Sequence, residues 1–211
     1  MSVLVKSWGI TNLDDAKIAA KAGADLLGFM FYPASKRYVT FAAAAEIIRE
    51  LPPWVAKVGV FADPAEEDVM QAITACGVNI LQFHGDETPA FCRQFGVMSI
   101  KAVAMRDESS IERLRDFDTD AWLLDSYVPG QMGGTGETFN WDLAVTARRL
   151  GRPVFLAGGL NPGNVAEAVT RVRPYGVDVS SGVESAPGKK DPQKVRDFIR
   201  AAKTASQELA G

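Results

Sequence analysis

Apolar residues along this chain fall into short dense runs separated by longer stretches with helical spacing, and the alternation repeats eight times. The short runs are VLVKSW (3–8), DLLGFMF (25–31), AKVGVF (56–61), ILQF (80–83), SIKAVA (99–104), AWLLD (121–125), PVFLA (153–157) and VDVSS (177–181). Each is strand-length and rich in β-formers. The intervening stretches predict helices, for example over 42–51, 64–76 and 192–209. Pro64 suits a first helical turn and Gly77 a helix stop. In the last helix Val195, Ile199 and Ala202 share one face.

Strands that are apolar through most of their length belong in a parallel sheet covered by helices. Eight strand–helix units in order predict an α/β fold, a (β/α)₈ TIM barrel that takes residues 1–211 as one domain. A doubly wound open sheet is the alternative, because periodicity does not report closure. The count of eight, with no unit missing, favours the barrel. Chemistry is then expected at the C-terminal ends of the strands and in the loops that follow them.

Composition narrows the partners. The 211 residues are 47% hydrophobic, enough for a substantial core. A net charge of −3 and a pI near 5.3 offer no general attraction to nucleic acid or an acidic membrane surface, so neither is an expected partner. Cys76 and Cys92 stand far apart with no Cys/His cluster, so no metal site or disulfide framework is expected. No apolar run approaches membrane-spanning length, and a cytoplasmic monomer is the expectation.

Two late loops have the composition of an anion cradle. AGGLNPGNV (157–165) follows the seventh strand and SSGVESAPGKKD (180–191) follows the eighth. Gly158, Gly159, Ser180, Ser181 and Gly182 are the candidate phosphate contacts, since glycine lets backbone N–H groups approach a ligand closely. Taken singly, each set of glycines only permits a tight turn; the pair in this order points to phosphate. Asp125 closes AWLLD and is either a carboxylate at the catalytic rim or a helix cap. The stretch 126–141 is glycine-rich, and Gly133, Gly134, Thr135 and Gly136 make it a candidate cover, or else an irregular surface loop. His84 is the single histidine and is a ligand contact or a turn residue. Arg37 is suited to a bidentate carboxylate partner or is simply exposed. Asp178 shares its strand face with Ser180, and an inward carboxylate there needs a ligand or hydrogen bonds to satisfy it.

These segments together resemble the phosphoribosylanthranilate isomerase family of tryptophan biosynthesis. The likeness runs through GITN, GFMFYPASKRYV, VGVF, LQFHGDE, KAVA, LLDSYVPGQMGGTG, FNW, LAGGLNPGNV and GVDVSSGVESAPGKKD, in barrel order. It implies a (β/α)₈ fold, a phosphosugar substrate, no metal or cofactor, and an Amadori rearrangement of an aminoaldose to an aminoketose. By resemblance Asp125 is the general acid, the two late loops hold phosphate, Arg37 lies toward the anthranilate end, and His84 and Asp178 border the ligand.

One position departs from the family's pattern. That pattern carries a cysteine, the general base, where this chain has Trp8 in VKSWGITN, and an indole N–H donates but accepts no proton. Ser7 is no substitute, because strand alternation turns it away from the face of Trp8. Cys76 and Cys92 read as helix residues remote from the strand ends. Three readings follow: an isomerase with impaired proton transfer, a repurposed barrel with Trp8 as aromatic platform and Asp125 as base, or a phosphosugar binder without turnover.

Overall fold

A computed structural model describes residues 2–126 and 139–209. Eight parallel strands close on themselves in sequence order. They are β1 (Leu4–Trp8), β2 (Leu26–Met30), β3 (Ala56–Phe61), β4 (Ile80–Phe83), β5 (Met98–Met105), β6 (Ala121–Ser126), β7 (Val154–Leu156) and β8 (Gly176–Val179). Around them run α1 (Leu13–Ala22), α2 (Phe41–Arg49), α3 (Glu66–Gln71), α4 (Pro89–Arg93), α5 (Glu108–Leu114), α6 (Trp141–Arg148), α7 (Val165–Val172) and α8 (Pro192–Glu208). The seam decides between barrel and open sheet: Lys6 of β1 pairs with Leu26 of β2 on one side and with Asp178 of β8 on the other.

Strand alternation sorts the core into two parts. Leu26, Val58, Ile80, Ile100, Leu123 and Phe155 pack inside the barrel. Val5, Leu27, Phe29, Leu81, Val103, Leu124, Leu156 and Val177 pack with helix residues on the outer side. Full burial of side chains of this size contributes ~1.5–3 kcal/mol each, so both layers hold the strand ends rigidly. Helix starts are set by polar caps. Asn12 accepts from the Asp15 N–H at 2.9 Å, and Asp191 accepts from the N–H groups of Gln193 and Lys194 at 2.8 and 3.0 Å. Pro192 follows Asp191 in the first turn of α8, where a missing N–H costs nothing.

Three local differences from the sequence reading matter. The helix expected from Pro64 begins at Glu66, because Asp63 adopts φ 49° and its N–H is drawn to Glu87 Oε1 at 2.9 Å. This tertiary anchor keeps Pro64 in the turn. α3 continues as a π-helical turn, Ala72–Cys76, which Gly77 ends at φ 77°, as its position suggested. The eighth loop is not a bare cradle: after a 3-10 turn at Ser181–Val183 it forms a hairpin of β9 (Glu184–Ala186) and β10 (Lys189–Lys190). The candidate cover residues Gly133, Gly134, Thr135 and Gly136 lie outside the described residues. Among the described residues no helix is long and apolar enough to cross a membrane.

Candidate active site

Trp8 ends β1 and, with Leu4 and Lys6, belongs to the face that looks into the barrel. Gly28 of β2 stands beside it, and a Cβ there would come 2.5 Å from Trp8 Cβ, so this register needs glycine at 28 opposite any side chain at position 8. The Arg37 guanidinium lies over the indole, 5.5 Å from its centroid. Ser7 is buried with the opposite facing, as alternation requires, and does not reach this space.

Asp125 from β6, Asp178 from β8 and Trp8 from β1 line one cavity, walled also by Gly158, Gly159, Leu160, Ser180 and Ser181. Six of the residues singled out from sequence therefore meet Trp8 at the C-terminal end of the barrel. The cavity's volume is about 20 Å³, room for roughly one water molecule.

Each carboxylate is held by its own partner. Asp125 Oδ1 accepts from the Ser126 N–H at 2.8 Å, and its Oδ2 lies 3.3 Å from His84 Nε2. Gln82 shares the facing of His84, and its Nε2 lies 3.3 Å from His84 Nδ1. With the amide nitrogen donating, Nδ1 accepts and Nε2 carries the proton that faces Asp125. Asp178 Oδ1 takes the Lys6 ammonium at 2.8 Å, and both side chains are buried. Burial pushes the Asp178 carboxyl above its ordinary range and the Lys6 amine below its own, while the ion pair opposes both shifts.

The cradle follows from backbone geometry. Gly158 and Gly159 adopt φ 78° and 63°, conformations that L side chains rarely hold. A side chain at Gly182 would strike the Leu160 carbonyl, so only glycine lets the seventh and eighth loops approach this closely. Ser181 and Gly182 open the short 3-10 turn, which packs against α8, and Gly182 abuts the Leu160–Asn161 backbone that leads into α7.

Arg37 has the bidentate partner its chemistry suggested, but that partner is a residue of the protein. Its Nε and Nη2 donate to Glu184 Oε1 and Oε2 at 2.8 and 2.7 Å. Lys190 Nζ also reaches Glu184 Oε1 at 3.2 Å and donates to the Trp8 carbonyl at 2.7 Å. Burial lowers the Lys190 amine to about 8. Burial also works against ionisation of Glu184, but the Arg37 hydrogen bonds and the Lys190 charge prevail and hold its carboxyl below its ordinary value. The hairpin is thereby tied to the end of β1.

With this geometry in place, comparison with known proteins is decisive. The sequence pattern of N-(5'-phosphoribosyl)anthranilate (PRA) isomerase matches residues 5–201. The chain belongs to this family. An N-(5'-phosphoribosyl)anthranilate isomerase of Pelobacter propionicus is 51% identical over 206 residues, covering 98% of both chains. The phosphoribosylanthranilate isomerase of Thermotoga maritima superposes with a TM-score of 0.89 at 43% identity, covering 96% of this chain and 99% of that one. A family structure in complex with reduced 1-(o-carboxyphenylamino)-1-deoxyribulose 5-phosphate superposes with a TM-score of 0.86 at 42% identity and the same coverage.

Lys6, Gln82, Glu184 and Lys190 contact the candidate residues and were not singled out from sequence. Lys101 was also missed. Its ammonium donates to the Gly85 carbonyl and Glu87 Oε2, each at 2.6 Å, and so braces the turn that carries His84. One signal was available: Lys6 and Trp8 share a strand face, and an inward lysine requires a carboxylate. Cys76 and Cys92 are buried in the helical layer, and burial raises both thiols, Cys92 to about 11, which removes them as proton acceptors.

Proposed function

We propose that this chain isomerises N-(5'-phosphoribosyl)anthranilate by an Amadori rearrangement, at a rate held down by Trp8. The observation that carries the reading is the single cavity shared by Asp125, Asp178 and both glycine-rich loops, within a chain of this family. The phosphate binds Gly158, Gly159, Ser180, Ser181 and Gly182 through backbone N–H and hydroxyl groups. Asp125 donates a proton to the furanose ring oxygen, and the ring opens to a protonated Schiff base. His84 steadies Asp125 and, with Asp178, borders the sugar. Arg37 lies toward the anthranilate. Loss of the C2′ proton then gives an enolamine, which tautomerises to the ketone. Hydrogen moves within one molecule, so the chemistry calls for no cofactor.

Trp8 limits the reaction in two ways. Its indole accepts no proton, and it lines a space that holds about one water where a phosphosugar must enter. A cytoplasmic monomer is the acting form in this reading. Substrate fluorescence followed under single-turnover conditions tests the proposal, with Asp125→Asn as control. Slow conversion that depends on Asp125 supports it. Product affinity without turnover would instead mark a phosphosugar binder. Proton exchange on a flat heteroaromatic compound would mark the repurposed barrel, with Trp8 as platform and Asp125 as base.

A further inference from the structure

We infer that Asp178 is the proton acceptor for C2′ in this chain, with Lys6 as its positioning residue. The inference rests on the isomerase reading. That reaction needs an acceptor, and the residue at the end of β1 supplies only a donor. Asp125 is committed to the ring oxygen, and His84 Nε2 faces Asp125. The hydroxyls of Ser180 and Ser181 are weak bases. Among the described residues lining the cavity, Asp178 is the remaining carboxylate.

Its location suits the task. β8 pairs directly with β1, with Lys6 opposite Asp178 and Ser7 opposite Val179. Asp178 therefore stands on the β1 side of the cavity, two residue pairs below Trp8 in the register, while Asp125 comes from β6. Acid and acceptor thus come from different walls. Lys6 Nζ fixes Oδ1 at 2.8 Å from the facing strand, with neither group exposed, and Oδ2 is the oxygen we assign to the proton. Burial raises the proton affinity of Asp178 above that of an ordinary carboxylate, while the Lys6 ammonium supports the anion.

The step balances. Oδ2 takes the proton from C2′, the C2′–H electron pair becomes the C1′=C2′ bond, and the C1′=N electrons return to nitrogen. Tautomerisation then adds one proton to C1′ and removes one from O2′, and the proton that Asp178 releases is matched by the one Asp125 regains, so the cycle is proton-neutral.

The test uses the full chain and phosphoribosylanthranilate in a two-by-two design, with Asp178 or Asn at 178 and Trp or Cys at 8. With Trp8 retained, Asp178→Asn should lower kcat by about 10²-fold or more while KM changes little. With Trp8→Cys in place, the same change should cost clearly less, because the thiolate takes over the proton. A purely structural role would give equal losses in both backgrounds. Asp178→Ala with Trp8 retained should recover about tenfold in kcat on adding formate, which a folding defect would not do. Lys6→Met combined with Asp178→Asn removes the stranded buried ammonium, and its circular dichroism keeps loss of fold separate from loss of chemistry. A kcat for Asp178→Asn within threefold of the parent overturns the assignment. So does a parent without turnover when Trp8→Cys is active, an outcome that leaves the isomerase reading standing. Absence of turnover in both backgrounds overturns both.

Discussion

Trp8 is the position where a single substitution separates lost chemistry from lost space. Its side chain is only 7% exposed, and the cavity it shares with Asp125 and the cradle holds about 20 Å³. That is room for roughly one water, so substrate entry must displace the indole from the Arg37 guanidinium that lies 5.5 Å over it. Giving up that cation–π contact costs ~0.5–1 kcal/mol. An effective general base is worth ~10²–10⁴ in rate, or about 3–5 kcal/mol of barrier. Trp8→Cys supplies both room and a proton acceptor, and we expect kcat/KM for phosphoribosylanthranilate to rise at least about a hundredfold. Trp8→Ala supplies room alone, so product affinity should improve while kcat stays near that of the parent. Stability should fall by less than the ~3–5 kcal/mol typical of such truncations in a closed core, because water refills the mouth. The assays are fluorescence turnover and calorimetry with product. A parent already as fast as Trp8→Cys would refute the reasoning, since neither crowding nor the missing base would then limit it.

Other outcomes follow from the same geometry. Inorganic phosphate titrated into labelled protein should shift the amide resonances of Gly158, Gly159, Ser181 and Gly182; shifts confined to another loop would remove the cradle assignment. Asp125→Asn should retain fold and phosphate affinity but lower turnover by ~10²-fold or more, and unchanged turnover would end its role as acid. Lys190 has a folded value of about 8 against an ordinary 10.5, so between these pH values the unfolded chain holds a proton that the folded chain has released. Stability from this group therefore rises with pH across that window, by on the order of 3 kcal/mol. Urea unfolding of the parent against Lys190→Met at pH 7.5 and 10.5 measures it, and parallel pH curves would contradict it. Glu184→Gln leaves Arg37 without its ionic partner and should weaken product binding by roughly tenfold, since a charge-assisted bidentate pair is worth more than a neutral bond; unaltered affinity in calorimetry would show that the clamp does not position Arg37.

The sequence by itself determined which residues form strands and which side of each strand faces the barrel. Period-two alternation and caps are local, so Ser7 could be turned away from Trp8, and Asp178 given the facing of Ser180, from sequence alone. Glycine composition marked the two loops for the same reason, because positive φ and close approach are properties of single residues. Tertiary structure alone decided the partners. Lys6 finds Asp178 across 172 positions and Arg37 finds Glu184 across 147 because closure sets β8 beside β1. Local pattern states that a buried charge needs a counter-charge, but it does not say which strand the barrel will bring alongside. His84 was ambiguous in sequence for this reason, and the wall of β4 and β6 gave it Asp125. Pro64 shows the converse: its helix-start signal was locally sound, and a hydrogen bond from Asp63 to Glu87, 24 residues away and beyond β4, overrode it. Hydrophobic periodicity records how each segment meets a core, whereas closure of the sheet determines which charges share it.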